Sequence, residues 1–164
     1  MPYFLLAAAL VVLDQLVKLL VLRLIPLGGQ VPFIPHLVEL TYVQNTGAAF
    51  SLFSRHTWVL AAVSLAVSLV LAAALWKGFV RHPLGKLALS LLLAGAVGNL
   101  IDRALRGYVV DMFNFLFMHF AVFNVADICV VVGGIGAAAY YLFLADRREP
   151  GKGGADRADP DADR

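Results

Sequence analysis

The sequence predicts an all-α polytopic membrane protein: four transmembrane helices with a small β-rich extracytoplasmic lobe in the first loop. Three observations predict it. The 164-residue chain is 61% hydrophobic and only 15% charged, against roughly 45–50% and about 25% in soluble domains. Four windows each hold the roughly 20 mostly apolar residues that a helix needs to cross the hydrocarbon core. Between the first two windows, the composition turns to prolines followed by β-branched and aromatic residues.

The first window, 3–25, is interrupted by Asp14, Lys18 and Arg23. Its start lacks a basic segment, and Ala7-Ala8-Ala9 comes too early for a cleavage site, so it reads as a retained helix rather than a secretory signal. In the loop that follows, Pro32 and Pro35 argue for irregular backbone. Val38 to Val43 reads as a short strand. The second span, 57–76, carries no charge. The third, 84–105, has Lys86 at its start and Asp102-Arg103 at its end; the fourth, 124–145, carries only Asp127. Residues 1–148 read as a single membrane-embedded domain. The Gly-, Pro-, Asp- and Arg-rich segment 149–164 reads as a disordered tail.

Lysine and arginine set the expected orientation. Lys77, Arg81 and Lys86 flank the second loop, and Arg147, Arg148 and Lys152 follow the last span. The first loop holds only Arg55, and the third holds Arg106, with Arg103 at its edge. Both termini are therefore expected in the cytoplasm, with loops 1 and 3 outside.

Several function classes lose support. A net charge of +2 with no basic-aromatic cluster gives no case for nucleic acid. Cys129 is the only cysteine, so no intrachain disulfide forms, and it reads as a small buried hydrophobe. His36, His56, His82 and His119 lack metal-ligand spacing. Gly95-Ala-Val-Gly98 is not a dinucleotide fingerprint; Gly95 and Gly98 suit close helix approach, as does Gly133-Gly134-Ile-Gly136-Ala137.

The polar residues inside this apolar chain carry the information, because an ionised group at mid-membrane costs roughly 2.5–3.5 kcal/mol even on lenient scales. Asp14 and Lys18, spaced i, i+4, share a helix face and suit a structural ion pair. Asn99, Asp102 and Arg103 form a stripe on the third span. The fork of Arg103 suits a carboxylate or peptide carbonyl; an interfacial Asp–Arg helix end is the plainer reading. Asn45-Thr46-Gly47 fits a turn. Asp111 and Asp127 come from different elements and stand at the edges of apolar runs near the expected outer face. Two carboxyls in one site share a proton, so one activates water while the other donates. Asn124, three residues before Asp127, is placed to orient it. The alternatives are a dipole-favoured acid for Asp127 and a solvated loop acid for Asp111. A proton path through Asp14, Lys18, Asp102 and Asp127 would spread polar groups through the membrane's depth, yet the second span has essentially none at its middle. An assembly protein without chemistry is the other alternative.

Five segments together resemble lipoprotein signal peptidase, also called signal peptidase II: Asp14-Gln-Leu-Val-Lys18, Asn45-Thr-Gly-Ala-Ala-Phe-Ser51, Gly98-Asn-Leu-Ile-Asp-Arg103, Gly107-Tyr-Val-Val-Asp111 and Phe123-Asn-Val-Ala-Asp127. The resemblance implies an aspartyl endopeptidase of the bacterial inner membrane. Such an enzyme removes the signal peptide from prolipoproteins just before a diacylglyceryl-modified cysteine, without metal or organic cofactor. It implies a catalytic pair in Asp111 and Asp127. It implies supporting, substrate-holding roles for Asn45, Asn99, Arg103 and Asn124, structural roles for Asp14, Lys18 and Asp102, and an outer lobe that cradles substrate. Prolipoproteins and membrane lipids are the expected partners of a monomer. Met112, Ala121 and Val17 depart from residues frequent in the family, at positions that touch packing and loop stiffness.

Overall fold

The computed structural model describes residues 1–47 and 57–144. Ala48 to Ser51 of the second segment and the tail 149–164 lie outside the described residues. The elements run α1 (Pro2–Leu24), β1 (Gln30–Ile34), β2 (Val38–Asn45), α2 (Thr57–Lys77), α3 (Pro83–Arg106), β3 (Val109–Phe115) and α4 (Val125–Leu144). All four helices are long and apolar enough to cross a membrane, and the chain is a multi-pass membrane protein.

The helix ends follow local chemistry. Pro2 opens α1 at its first turn, where a missing N–H costs nothing. Ile25 ends it in extended geometry (φ −119°, ψ 120°), the conformation forced on a residue before proline. His82 caps α3 by accepting from the Leu84 amide at 3.1 Å, and Gly107 closes it in the left-handed region at φ 77°.

α3 is the hub. In its most apolar stretch 44% of residues are buried, against 6% for α2 and 11% for α4. It packs against α1, α2 and α4. Small residues make this possible. A Cβ on Gly98 would lie 2.7 Å from an Asp14 carboxylate oxygen, and one on Gly95 would collide with the Ala126 carbonyl and Val130. Gly133 also lies close against α3, where a Cβ would meet the Leu92 amide nitrogen at 2.9 Å, whereas Gly134 has open space around it. Cys129 is buried, as its apolar reading expects.

The three strands form one antiparallel sheet in the order β1-β2-β3. This lobe differs from the expectation in two ways. β1 contains Pro32 and still pairs with β2, with a shift in register between Pro32 and Ile34; an edge strand tolerates a proline whose missing N–H faces away from its partner. The lobe is also not confined to loop 1, because β3 comes from the connection between α3 and α4. The sheet seats on the end of α1 through Val21, Ile25, Tyr42, Val110 and Met112. Met112 is fully buried, and burying such a side chain stabilises by about 1.5–3 kcal/mol.

Candidate active site

Three attachments set β3 in place, and the last of them brings the start of α4 to it. Val43 of β2 pairs with Asp111 in the ladder. The Val110 amide donates to Asp102 Oδ2 at 3.0 Å, tying β3 to the end of α3. Phe113 and Phe123 form a bridge, with the Phe113 amide donating to the Phe123 carbonyl at 2.8 Å and the reverse bond at 3.1 Å. That bridge delivers Asn124, the next residue, to the side of Asp111.

Asn124 then starts α4. The Asp127 amide donates to Asn124 Oδ1 at 2.9 Å, while the Asn124 amide donates to Asp127 Oδ2 at 3.1 Å. This is a reciprocal capping box, with asparagine at the N-cap and aspartate at the third helical position. α4 accordingly begins at Val125, with Asn124 as its cap rather than its first residue. Asp14 of α1 satisfies a further free donor of this helix start, accepting from the Ala126 amide at 2.9 Å.

All four carboxylate oxygens of Asp111 and Asp127 accept a hydrogen bond. Asp111 takes Asn124 Nδ2 at 2.6 Å on Oδ1 and Asn45 Nδ2 at 2.8 Å on Oδ2. Asp127 takes Asn99 Nδ2 at 2.8 Å on Oδ1, with the capping amide on Oδ2. Asn124, wholly buried, thus touches both acids. Asp111 is 2% exposed on a strand, which overturns the solvated-loop alternative. Burial raises its pKa to about 6. The Asp127 charge also raises it, while the bonds from Asn45 and Asn124 pull it back.

The stripe on α3 divides its labour. Asn99 and Arg103 line the cleft with the two aspartates. Asp102 turns away from it, fully buried, toward α1. There Lys18 Nζ lies 2.8 Å from Asp14 and 3.0 Å from Asp102, and donates to Asn99 Oδ1 at 3.1 Å. Arg106 pairs with Asp102 from the next turn, and Gln15 donates to Asp102 at 3.2 Å. Two carboxylates and two cations make the cluster formally neutral. The expected Asp102–Arg103 end arrangement is thus an Asp102–Arg106 pair. Asp14 and Lys18, read from the sequence as a structural ion pair, lie against the site. Gln15 and Arg106 escaped the sequence reading, although Arg106 stands i+4 from Asp102, a spacing that signals such a pair.

The cleft encloses about 710 Å³ and has two characters. Asn45, Asn99, Arg103, Asp111 and Asp127 form a polar end, beside an apolar wall that includes Phe115, Phe120 and Val131. Among the described residues, Arg103 donates only to Ser64 Oγ, at 3.4 Å, and its buried Nε has no partner. It has donors to offer a ligand. The Asn45 side chain also accepts from the Gly47 amide at 3.0 Å, so the predicted turn exists and aims its Nδ2 at Asp111. Among the described residues, no three His, Cys, Asp or Glu side chains gather to hold a metal ion.

Comparison with known proteins agrees with this architecture. Residues 6–143 match the family model described as signal peptidase II. The chain is 38% identical to a lipoprotein signal peptidase of Brevibacillus brevis, over 90% of this chain and 99% of that one. It is 42% identical to that of Enterococcus faecalis, over 93% and 94%. A solved bacterial membrane enzyme superposes with a TM-score of 0.83 at 29% identity, covering 92% of this chain and 93% of its own.

Proposed function

Because the chain belongs to the signal peptidase II family, we propose that it removes signal peptides from diacylglyceryl-modified prolipoproteins by aspartic hydrolysis, cutting before the lipidated cysteine. The observation that carries this reading is Asn124, which bonds the carboxyls of Asp111 and Asp127 at the polar end of one cleft. Burial and each other's charge keep the two acids from both ionising, so they hold one proton between them. One carboxylate draws a proton from water as it attacks the scissile carbonyl; the other acid protonates the leaving amine. Arg103 holds the substrate backbone, Asn45, Asn99 and Asn124 fix the acids, and no cofactor takes part.

The lysine and arginine pattern supports cytoplasmic termini, which put the sheet and the dyad at the outer face of the bacterial inner membrane. There the dyad meets both water and a scissile bond held at the interface by its lipid anchor. The protein acts as a monomer among membrane lipids. Residues 1–148 work as one embedded domain, and 149–164 are a passive tail.

The test is cleavage in liposomes of a diacylglyceryl-modified prolipoprotein beside its unlipidated form, read as the mass lost with the signal peptide. Cleavage of the lipidated form alone is expected. Failure to cut it with folded protein would end the proposal.

The pH profile offers a second check. Hydrolysis needs a proton on the pair, so activity falls as pH rises through the titration of Asp111, raised to about 6. Asn45 stabilises the ionised form of Asp111. Asn45→Ala removes that donor, Asp111 keeps its proton to higher pH, and the alkaline limb of the rate profile moves upward. A limb that stays in place or moves down would refute the role given to Asn45.

A further inference from the structure

Beside the cleft lies a second hollow of about 570 Å³, lined by residues 114–121, from the end of β3 onward. Phe115, Phe120 and Ala121 line both, so the two spaces share a wall. Phe117 and Met118 line only the hollow, and both are exposed. From Met112 to Ala126 the chain carries no Asp, Glu, Lys or Arg. This apolar tip is a built feature. The Phe115 ring lies 5.2 Å from Phe117, 5.9 Å from Phe120 and 5.1 Å from Phe123. The Leu116 amide donates to the Leu37 carbonyl at 3.0 Å, fixing the tip to the β1–β2 turn. Water gains nothing from such a surface, and exposed clustered aromatics mark a place for an apolar partner.

Resting on the function proposed above, we infer that this hollow seats the acyl chains of the diacylglyceryl group on the substrate cysteine. The modified cysteine directly follows the scissile bond, so its glyceryl thioether lies within a few bonds of Asp111 and Asp127. The chains must leave the polar end of the cleft over an apolar surface that starts there. The shared wall of Phe115 and Phe120 is such a path. α4 opens the other apolar side with Ile128, Val131 and Val132, a face suited to the apolar helix of the signal peptide itself. Six of the eight residues that line the hollow are apolar, Asn114 and His119 being the exceptions, and such a surface grips hydrocarbon mainly through contact area. The hollow therefore rewards chain length rather than headgroup chemistry.

The experiment compares one prolipoprotein peptide carrying either dipalmitoyl- or dibutyryl-glyceryl cysteine, cut by the wild type, Phe117→Ser, Met118→Ser and Phe117→Trp in liposomes. The wild type is expected to prefer the long-chain substrate. Each serine variant should lose about tenfold in kcat/KM on it, the effect of roughly two buried methylenes, with the short-chain value unchanged. Phe117→Trp, which keeps an apolar ring, should retain the preference. Equal loss on both substrates would overturn the inference and show a lobe that merely rests in bilayer lipid. No loss, or a wild type blind to chain length, would overturn it as well. If the wild type cuts neither lipidated peptide, the proposed function itself fails, an outcome distinct from lost chain-length preference.

Discussion

Replacing Asp111 or Asp127 with asparagine is expected to lower single-turnover cleavage of a lipidated prolipoprotein by at least about 10³-fold, while the protein still inserts and folds. General acid–base groups contribute roughly 10²–10⁴ each, and neither amide performs the lost proton transfer. The substitutions are nearly isosteric, but they are not silent in the fold. Both oxygens of Asp111 accept from amide donors, Asn124 and Asn45. Both oxygens of Asp127 accept as well, from Asn99 and from the Asn124 backbone. An asparagine in either place turns one acceptor into a donor facing a donor, which costs about 1–3 kcal/mol. A lowered melting temperature with intact insertion is therefore part of the expected result. Activity within tenfold of wild type in either variant would remove the dyad from the mechanism.

Lys18→Met carries the largest expected stability effect. Lys18 is wholly buried between Asp14 (1% exposed) and Asp102 (0%). Removing its charge leaves Asp102 with Arg106 alone and strips Asp14 of the cation beside it, and breaking a buried pair in this way costs about 3–5 kcal/mol. The loss touches the site as well, because the ammonium shares Asn99 Oδ1 with Asn124 Nδ2, which donates to it at 3.2 Å. With that oxygen held, Asn99 must present its Nδ2 to Asp127. Thermal unfolding in detergent should show a large drop for Lys18→Met and almost none for Leu19→Met, one residue along on the exposed face. Asp14→Asn in the same chain should restore part of the loss, since an asparagine oxygen still caps Ala126 while one charge fewer is stranded. A Lys18→Met protein as stable as wild type would mean that the cluster is energetically idle.

The spans were legible because each is a long apolar run, and length separates a crossing helix from a buried strand. Asn124 and Asp127 were legible as neighbours because a spacing of three residues puts them on one helical face; that Asn124 caps the helix rather than lying in it was not read, although the reciprocal bonds are local. β3 was not legible. Its first four residues, Val109 to Met112, are all buried, so the alternation that marks a half-exposed strand is missing, and its partner β2 is far away in sequence. The setting of Asp111 was hidden for the same reason. It depends on the Phe113–Phe123 bridge and on Asn45, contacts that no spacing rule contains. The polar stripe on α3 was legible as a stripe, but the side each member serves was not. One turn of helix sends Asn99 and Arg103 to the cleft and Asp102 to α1, a choice made by the neighbours.

Asp14 capping the start of α4 has a consequence for how such a hydrolase is made. The chain is threaded into the bilayer from its first span to its last, and the cap on Ala126 joins the first to the last. Asp127 cannot take its place until α4 docks on α3, and the Asp14 cap on Ala126 joins α1 to that assembly. The proposed enzyme is thus inert throughout its own biogenesis. A half-inserted chain exposes no working acid pair to the membrane around it, and cutting power arrives in one step with the final helix.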